Sequence, residues 1–164
     1  MTLLILGIGQ SLRHDDGVGP AAIKLFQENF PQDANNPLLR IEISELPGLN
    51  LLNLLQNYEA AVLVDAVSSG VMPGTIHLLT EKDLSSFSPG AGSAHGWGVA
   101  ETLALGRKLN LYNLPKDLFL LGVEGQDFSP GEGLSQIVRD QLPIVCNTIN
   151  SLIHEYFLQS GERQ

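Results

Sequence analysis

The first twenty residues constrain the fold more than any other stretch. Leu3-Leu4-Ile5-Leu6-Gly7-Ile8 is a continuous apolar run, and Gly9-Gln10-Ser11-Leu12-Arg13-His14-Asp15-Asp16-Gly17-Val18-Gly19-Pro20 follows it directly. A run of this length without polar alternation fits a strand buried on both faces, as in a parallel sheet. Proline is tolerated in the first turn of a helix but not in its interior, so a helix starts near Gly17 to Pro20. Val18, Ala21, Ala22, Leu25 and Phe26 continue at helical spacing until Phe30-Pro31 stops them. Strand, glycine-rich turn and helix are the opening of a βα unit. Open α/β sheets place their ligands at the carboxyl ends of such strands. Two adjacent carboxylates, Asp15 and Asp16, stand in that turn.

The rest of the chain alternates in the same way. Residues 38–44 predict a second strand nearer the sheet edge, and 49–55 a short leucine-rich helix. Residues 60–64 are apolar throughout and predict a central third strand that terminates in Asp65. Residues 75–79 predict a fourth strand. The interval from Asp65 to Thr75 is too short for a helical crossover, so this strand is expected to run antiparallel to its neighbour. A helix over 96–109, a fifth strand over 118–123 and a last helix over 134–158 complete the pattern, with Pro143 placed to kink or split the last one. The expectation is a single domain over 1–164 of α/β class. It is a three-layer α/β/α sandwich around a five-stranded, mostly parallel, mixed and twisted sheet.

Charge narrows the partners. Eighteen acidic residues against nine basic ones give a formal net charge of -9. Such a surface repels phosphate backbones and anionic lipid, so neither nucleic acid nor membrane is expected as a partner. The single cysteine, Cys146, excludes an internal disulfide and a cysteine-rich zinc site. It sits among Leu142, Ile144, Val145 and Ile149 and reads as a buried structural thiol. No basic region precedes the first strand, and its apolar run is too short for a signal core or a membrane span. A cytoplasmic monomer is expected.

Several motifs bear on chemistry. Gly7-x-Gly9 after a strand invites a dinucleotide reading, but Leu12 stands where the third glycine belongs, and no Gly-Lys-Ser/Thr follows for a P-loop. Ser11 and Ser93 lack the Gly-x-Ser-x-Gly elbow of a serine hydrolase. Asp15-Asp16 fits either a helix cap or a cation ligand. Asp65 is either a carboxylate at the sheet's rim or the organiser of an Asx turn to Val67 or Ser68. His95 lies in Ser93-Ala94-His95-Gly96-Trp97-Gly98, among small residues at the mouth of a helix. It is an accessible imidazole there, or a surface or capping residue. His77 falls inside a strand, His154 in the last helix, and His14 beside the aspartates. In a doubly wound sheet the loops of Asp16, Asp65 and His95 can converge on one rim. Two carboxylates and an imidazole make a ligand set with open positions, suited to Zn²⁺, Ni²⁺ or Fe²⁺. On these residues alone a non-catalytic, flavodoxin-like metal- or nucleotide-binding module remains the alternative to an enzyme.

Three stretches also carry a family resemblance. Residues 6–19, from Leu6-Gly7-Ile8-Gly9 to Asp15-Asp16-Gly17-Val18-Gly19, look like the opening signature of the [NiFe]-hydrogenase maturation proteases. Val64-Asp65-Ala66 with Pro73-Gly74-Thr75, and Ser93-Ala94-His95 leading into the helix with Leu103, resemble the two stretches that follow in that family. The resemblance implies an endopeptidase that removes the C-terminal peptide of the hydrogenase large-subunit precursor after nickel insertion. It implies that Asp16, Asp65 and His95 contact nickel, with Asp16 and Asp65 also catalytic, in an aspartic-type or metal-dependent mechanism. The nickel would arrive with the precursor, so neither a permanent metal nor an organic cofactor is expected. Two departures stand out. Gln10 replaces the family's usual asparagine, and Ser44-Glu45-Leu46-Pro47-Gly48 differs from the segment many members carry there. The second suggests a divergent subgroup, the one serving bidirectional NAD(P)-linked hydrogenases, with Glu45 placed to contact substrate.

Overall fold

The computed structural model describes residues 2–45, 48–86, 98–110 and 113–162. In chain order the elements are β1 (Leu3–Ile8), a 3₁₀ turn (His14–Gly17), α1 (Val18–Asn29), α2 (Pro31–Ala34), β2 (Leu39–Ser44), a second 3₁₀ turn (Gly48–Asn50), α3 (Leu51–Leu55), β3 (Ala60–Val67), β4 (Ile76–Thr80), α4 (Glu81–Ser86), α5 (Val99–Leu109), β5 (Asp117–Glu124), α6 (Gln136–Arg139) and α7 (Leu142–Glu162). The five strands form one sheet in the order β2-β1-β3-β5-β4. All pairings are parallel except β4 with β5.

Two apolar layers flank the sheet. Leu3, Ile5, Val62 and Val64 point to one face, where Val18, Ala22 and Phe26 of α1 and Val145, Ile149 and Ile153 of α7 cover them. Leu4, Leu6, Ala61 and Leu63 point to the other, under Leu51, Leu52 and Leu55 of α3, Leu84 of α4 and Leu103 of α5. Strand residues of period two thus feed both faces, which is why β1 and β3 are apolar without alternation and buried at every position. The expected three-layer architecture is the one observed. Cys146 is buried against α1, its thiol reaching the Ala22 carbonyl at 3.5 Å, and desolvation pushes its pKa up to about 11.

Two details differ from the sequence reading, the length of β3 and the presence of α4, while β4 and the last helix follow it. β3 does not stop before Asp65 but runs on to Val67, because Asp65, Ala66 and Val67 stay paired with Gly122, Val123 and Glu124. β4 is antiparallel to its neighbour, as the short connection requires, and that neighbour is β5. α4 was not anticipated, yet its start carries a capping pattern: Asp83 accepts from the Thr80 N–H at 2.8 Å and from the Thr80 hydroxyl at 2.7 Å. The last helix is split, as Pro143 allows: α6 ends at Arg139, and Pro143 takes the tolerated first turn of α7. Among the described residues no helix is long and apolar enough to cross a membrane.

Candidate functional site

The chain leaves β1 through α1 toward β2 on one side, then returns through α3 to β3 on the other. β1 and β3 are therefore the strands between which the direction of winding reverses, and the crevice at their carboxyl ends is the ligand position of such sheets. Local sequence brings the backbone there unusually close. A side chain at Gly19 would collide with the carbonyl oxygens of Ile8 and Val64, so only glycine lets the start of α1 sit on the ends of both strands. Gly9 has φ +133°, and a Cβ there would strike the Asp16 carbonyl oxygen. Of the two glycines that invite a nucleotide reading, Gly9 in fact folds the turn back over the strand end, and Gly7 leaves room for Gly19 and Ile23 of α1 against β1.

Asp16 and Asp65 meet in this crevice. Asp16 is 1% exposed and accepts the Gln10 N–H at 2.7 Å through Oδ2. Asp65 is 2% exposed, and its Oδ1 accepts the N–H of Ala66 at 2.8 Å. Burial holds the Asp65 carboxyl well above the usual carboxylate range, the negative charge of Asp16 raises it further, and the Ala66 hydrogen bond opposes both. By strand alternation Asp65 lies on the face of Ala61 and Leu63, the face that α3 and α5 cover. Two carboxylates that repel each other in a desolvated crevice will take up a cation or share a proton, since either relieves the repulsion.

His95, the third expected contact, lies with Ser93 and Trp97 outside the described residues. Among the described residues no group of three histidines, cysteines or carboxylates is arranged to hold a metal ion. The candidate donors among the described residues are therefore the carboxylate oxygens of Asp16 and Asp65. Glu45 is exposed at the end of β2.

Asp15 does something else. It is fully buried, yet it does not cap either helix. Its Oδ2 accepts the N–H groups of Gln126 at 2.8 Å and Asp127 at 3.0 Å and the Ser135 hydroxyl at 2.8 Å, and its Oδ1 accepts the Ser135 N–H at 2.7 Å. The capping alternative fails because the carboxylate turns away from α1 toward the loop between β5 and α6. His14, with φ 43°, supports the same latch by placing Nδ1 2.9 Å from the Gly133 carbonyl oxygen, and Arg13 donates to the Phe128 carbonyl at 3.1 Å.

Glu124 is a site residue that sequence reading missed. It closes β5 and is 2% exposed. Its carboxylate accepts Ser69 N–H at 2.6 Å, the Ser69 hydroxyl at 2.8 Å and Gly70 N–H at 3.0 Å, with His77 Nε2 at 3.3 Å. It thereby fixes the loop that follows Asp65. The signal was available: a charge closing an apolar strand, the same signal that singled out Asp65.

Comparison with known proteins identifies the family and the fold. A hydrogenase maturation protease family model (HycI) matches residues 46–152. The chain is 32% identical over 160 residues to the hydrogenase expression/formation protein HupD of Thiocapsa roseopersicina, covering 97% of this chain and 69% of that protein. It is 31% identical over 144 residues to the corresponding HoxM of Azotobacter vinelandii, covering 85% of this chain and 66% of that protein. It thus spans about two thirds of the length of these relatives. Its fold is similar to that of the hydrogenase maturating endopeptidase HybD from E. coli, with a TM-score of 0.80 at 23% identity over 95% of this chain and 94% of that one. The chain belongs to the hydrogenase maturation proteases, a family of endopeptidases.

Proposed function

We propose that this protein is an endopeptidase that removes the C-terminal extension of a [NiFe]-hydrogenase large-subunit precursor after nickel insertion, and that it recognises the precursor through the nickel it carries. The observation that carries this reading is the pairing of Asp16 and Asp65, both buried, in the switch-point crevice between β1 and β3. Two like charges held together out of water await a positive group, and a precursor that brings a divalent cation supplies one. His95 is the third contact in this reading.

The peptide step needs water to add across an amide. The water oxygen bonds to the scissile carbonyl carbon, the C–N bond breaks, and the amine leaves with a proton. A carboxylate of the pair takes that proton from water and returns it to the amine. Nickel beside the pair offsets the mutual repulsion, so that the base is ionised when the loaded precursor is in place. Recognition and catalysis are coupled in this way without a resident metal. The enzyme acts as a cytoplasmic monomer on a protein substrate.

Family membership favours this reading over a non-catalytic, flavodoxin-like binding module. The test is cleavage of nickel-loaded and nickel-free precursor by the purified protein. The expected result is cleavage of the loaded form alone, lost in Asp65→Asn and His95→Ala. Equal cleavage of both forms would remove nickel from the mechanism.

A further inference from the structure

Exposed large apolar side chains are ordinary when scattered. Here they are not evenly scattered. Among the described residues eleven are exposed. Six of them, Leu12, Ile43, Leu49, Val71, Met72 and Ile137, lie at the end of β2 or on segments leading off the carboxyl ends of β1, β2, β3 and β5. That is the rim around Asp16 and Asp65. Met72 is 73% exposed and Leu12 66%.

The segments that carry them are pinned. Glu124 grips Ser69 and Gly70, just before Val71 and Met72, while the Met72 carbonyl accepts both the N–H and the hydroxyl of Thr75, at 3.2 and 2.6 Å. The Leu12 carbonyl accepts the Gly131 N–H at 2.9 Å, in the loop that Asp15 latches. Ile137 follows Ser135, which gives both its N–H and its hydroxyl to Asp15. The backbone that carries these apolar side chains is thus ordered before a partner arrives, which lowers the ordering cost of contact.

We propose that Leu12, Val71, Met72 and Ile137 form an apolar docking rim for the folded body of the large-subunit precursor, next to the crevice that receives its metal and scissile peptide. The inference rests on the proposed function and adds to it the surface that selects a folded protein over a free peptide. The occupant follows from continuity: a macromolecule whose scissile bond reaches two buried carboxylates must cover the loops that surround them. An apolar rim within a chain of net charge -9 also meets the precursor by shape and area rather than by charge.

The test uses the full chain and the nickel-loaded precursor from the same organism, with steady-state cleavage and direct binding measured together. Met72→Asp and Leu12→Asp are expected to raise KM about tenfold or more with kcat retained, as for central contact residues. Leu109→Asp, at the far end of α5, is the control and is expected to match wild type. Thermal melts of all three should coincide with wild type, because the side chains are exposed. If wild type cleaves and the two rim variants keep its KM, the rim is overturned while the proposed function stands. If wild type binds the precursor without cutting it and the rim variants lose binding, the rim stands and the catalytic reading falls. If wild type neither binds nor cuts it, both are overturned.

Discussion

Among the described residues four carboxylates are buried at the carboxyl end of this sheet, and they form two contrasting pairs. Asp15 and Glu124 are saturated: each is surrounded by backbone N–H groups and a serine hydroxyl from a distant loop. Asp65 accepts one hydrogen bond among the described residues, from its own neighbour Ala66, and faces the charge of Asp16. The residues are similar in chemistry and burial and differ in what meets them. A buried charge with full partners acts as a structural pin, whereas a buried charge facing another of the same sign is a cost that folding alone does not explain. In the proposed function the saturated carboxylates build the crevice, and the two that face each other, Asp16 and Asp65, act in it.

The comparison can be broken most sharply by exchanging activity for stability. Asp65→Asn and Asp16→Asn are expected to lower the rate of precursor cleavage by about 10²- to 10⁴-fold, the usual span for a lost acid–base group. Their melting temperatures at neutral pH should equal or exceed wild type, because the repulsion is gone. Asp15→Ala should do the reverse of this in stability. Removing it strands the N–H groups of Gln126, Asp127 and Ser135, at about 1–3 kcal/mol for each group left unsatisfied. Chemical denaturation should show a loss of about 3 kcal/mol or more. An Asp15→Ala protein as stable as wild type would dissolve the distinction between the pairs.

Much of this was legible in the chain. β1, the central position of β3, the edge position of β2 and the antiparallel β4 follow from apolar runs, alternation and connection length. Asp65 was legible as a candidate because it borders the apolar run of β3, and Asp16 because it stands in the glycine-rich turn after β1. The latch of Asp15 was not, because its donors lie more than a hundred residues along the chain and no local pattern links position 15 to 126 and 135. The turn chemistry at Asp15 suggested a helix cap, and a tertiary partner took the carboxylate instead. Glu124 was passed over although it closes β5 as Asp65 borders the end of β3. The grip it has on Ser69 depends on strand order, which fixes that β3 and β5 are neighbours.

The pH dependence gives a finer contrast. Folding raises the Asp65 carboxyl above its ordinary value of about 4. Between that value and its folded pKa, the native state holds a proton that the unfolded chain has released. Stability therefore falls as pH rises through this window, and the whole penalty is present above it. Wild type should be less stable than Asp65→Asn at pH 7.5, with the gap closing toward pH 4, as read by paired thermal melts. A gap that widens on acidification would mean that Asp65 is stabilised as an anion.

The smallest effect concerns Cys146. Its thiol is buried, with a pKa of about 11, and lies away from the crevice against Ala22. Cys146→Ala should cost about 1 kcal/mol through lost packing and leave cleavage unchanged. In the native protein the thiol should resist alkylation at pH 8, and rapid labelling would show that this layer opens readily.

The most direct measurement is the mass of the large-subunit product after nickel-loaded precursor is incubated with wild type and with Asp65→Asn. Wild type is predicted to yield one shortened polypeptide lacking the C-terminal extension, and Asp65→Asn to leave the precursor at full mass. The same shortened product from both proteins would contradict a site built on the Asp16–Asp65 pair.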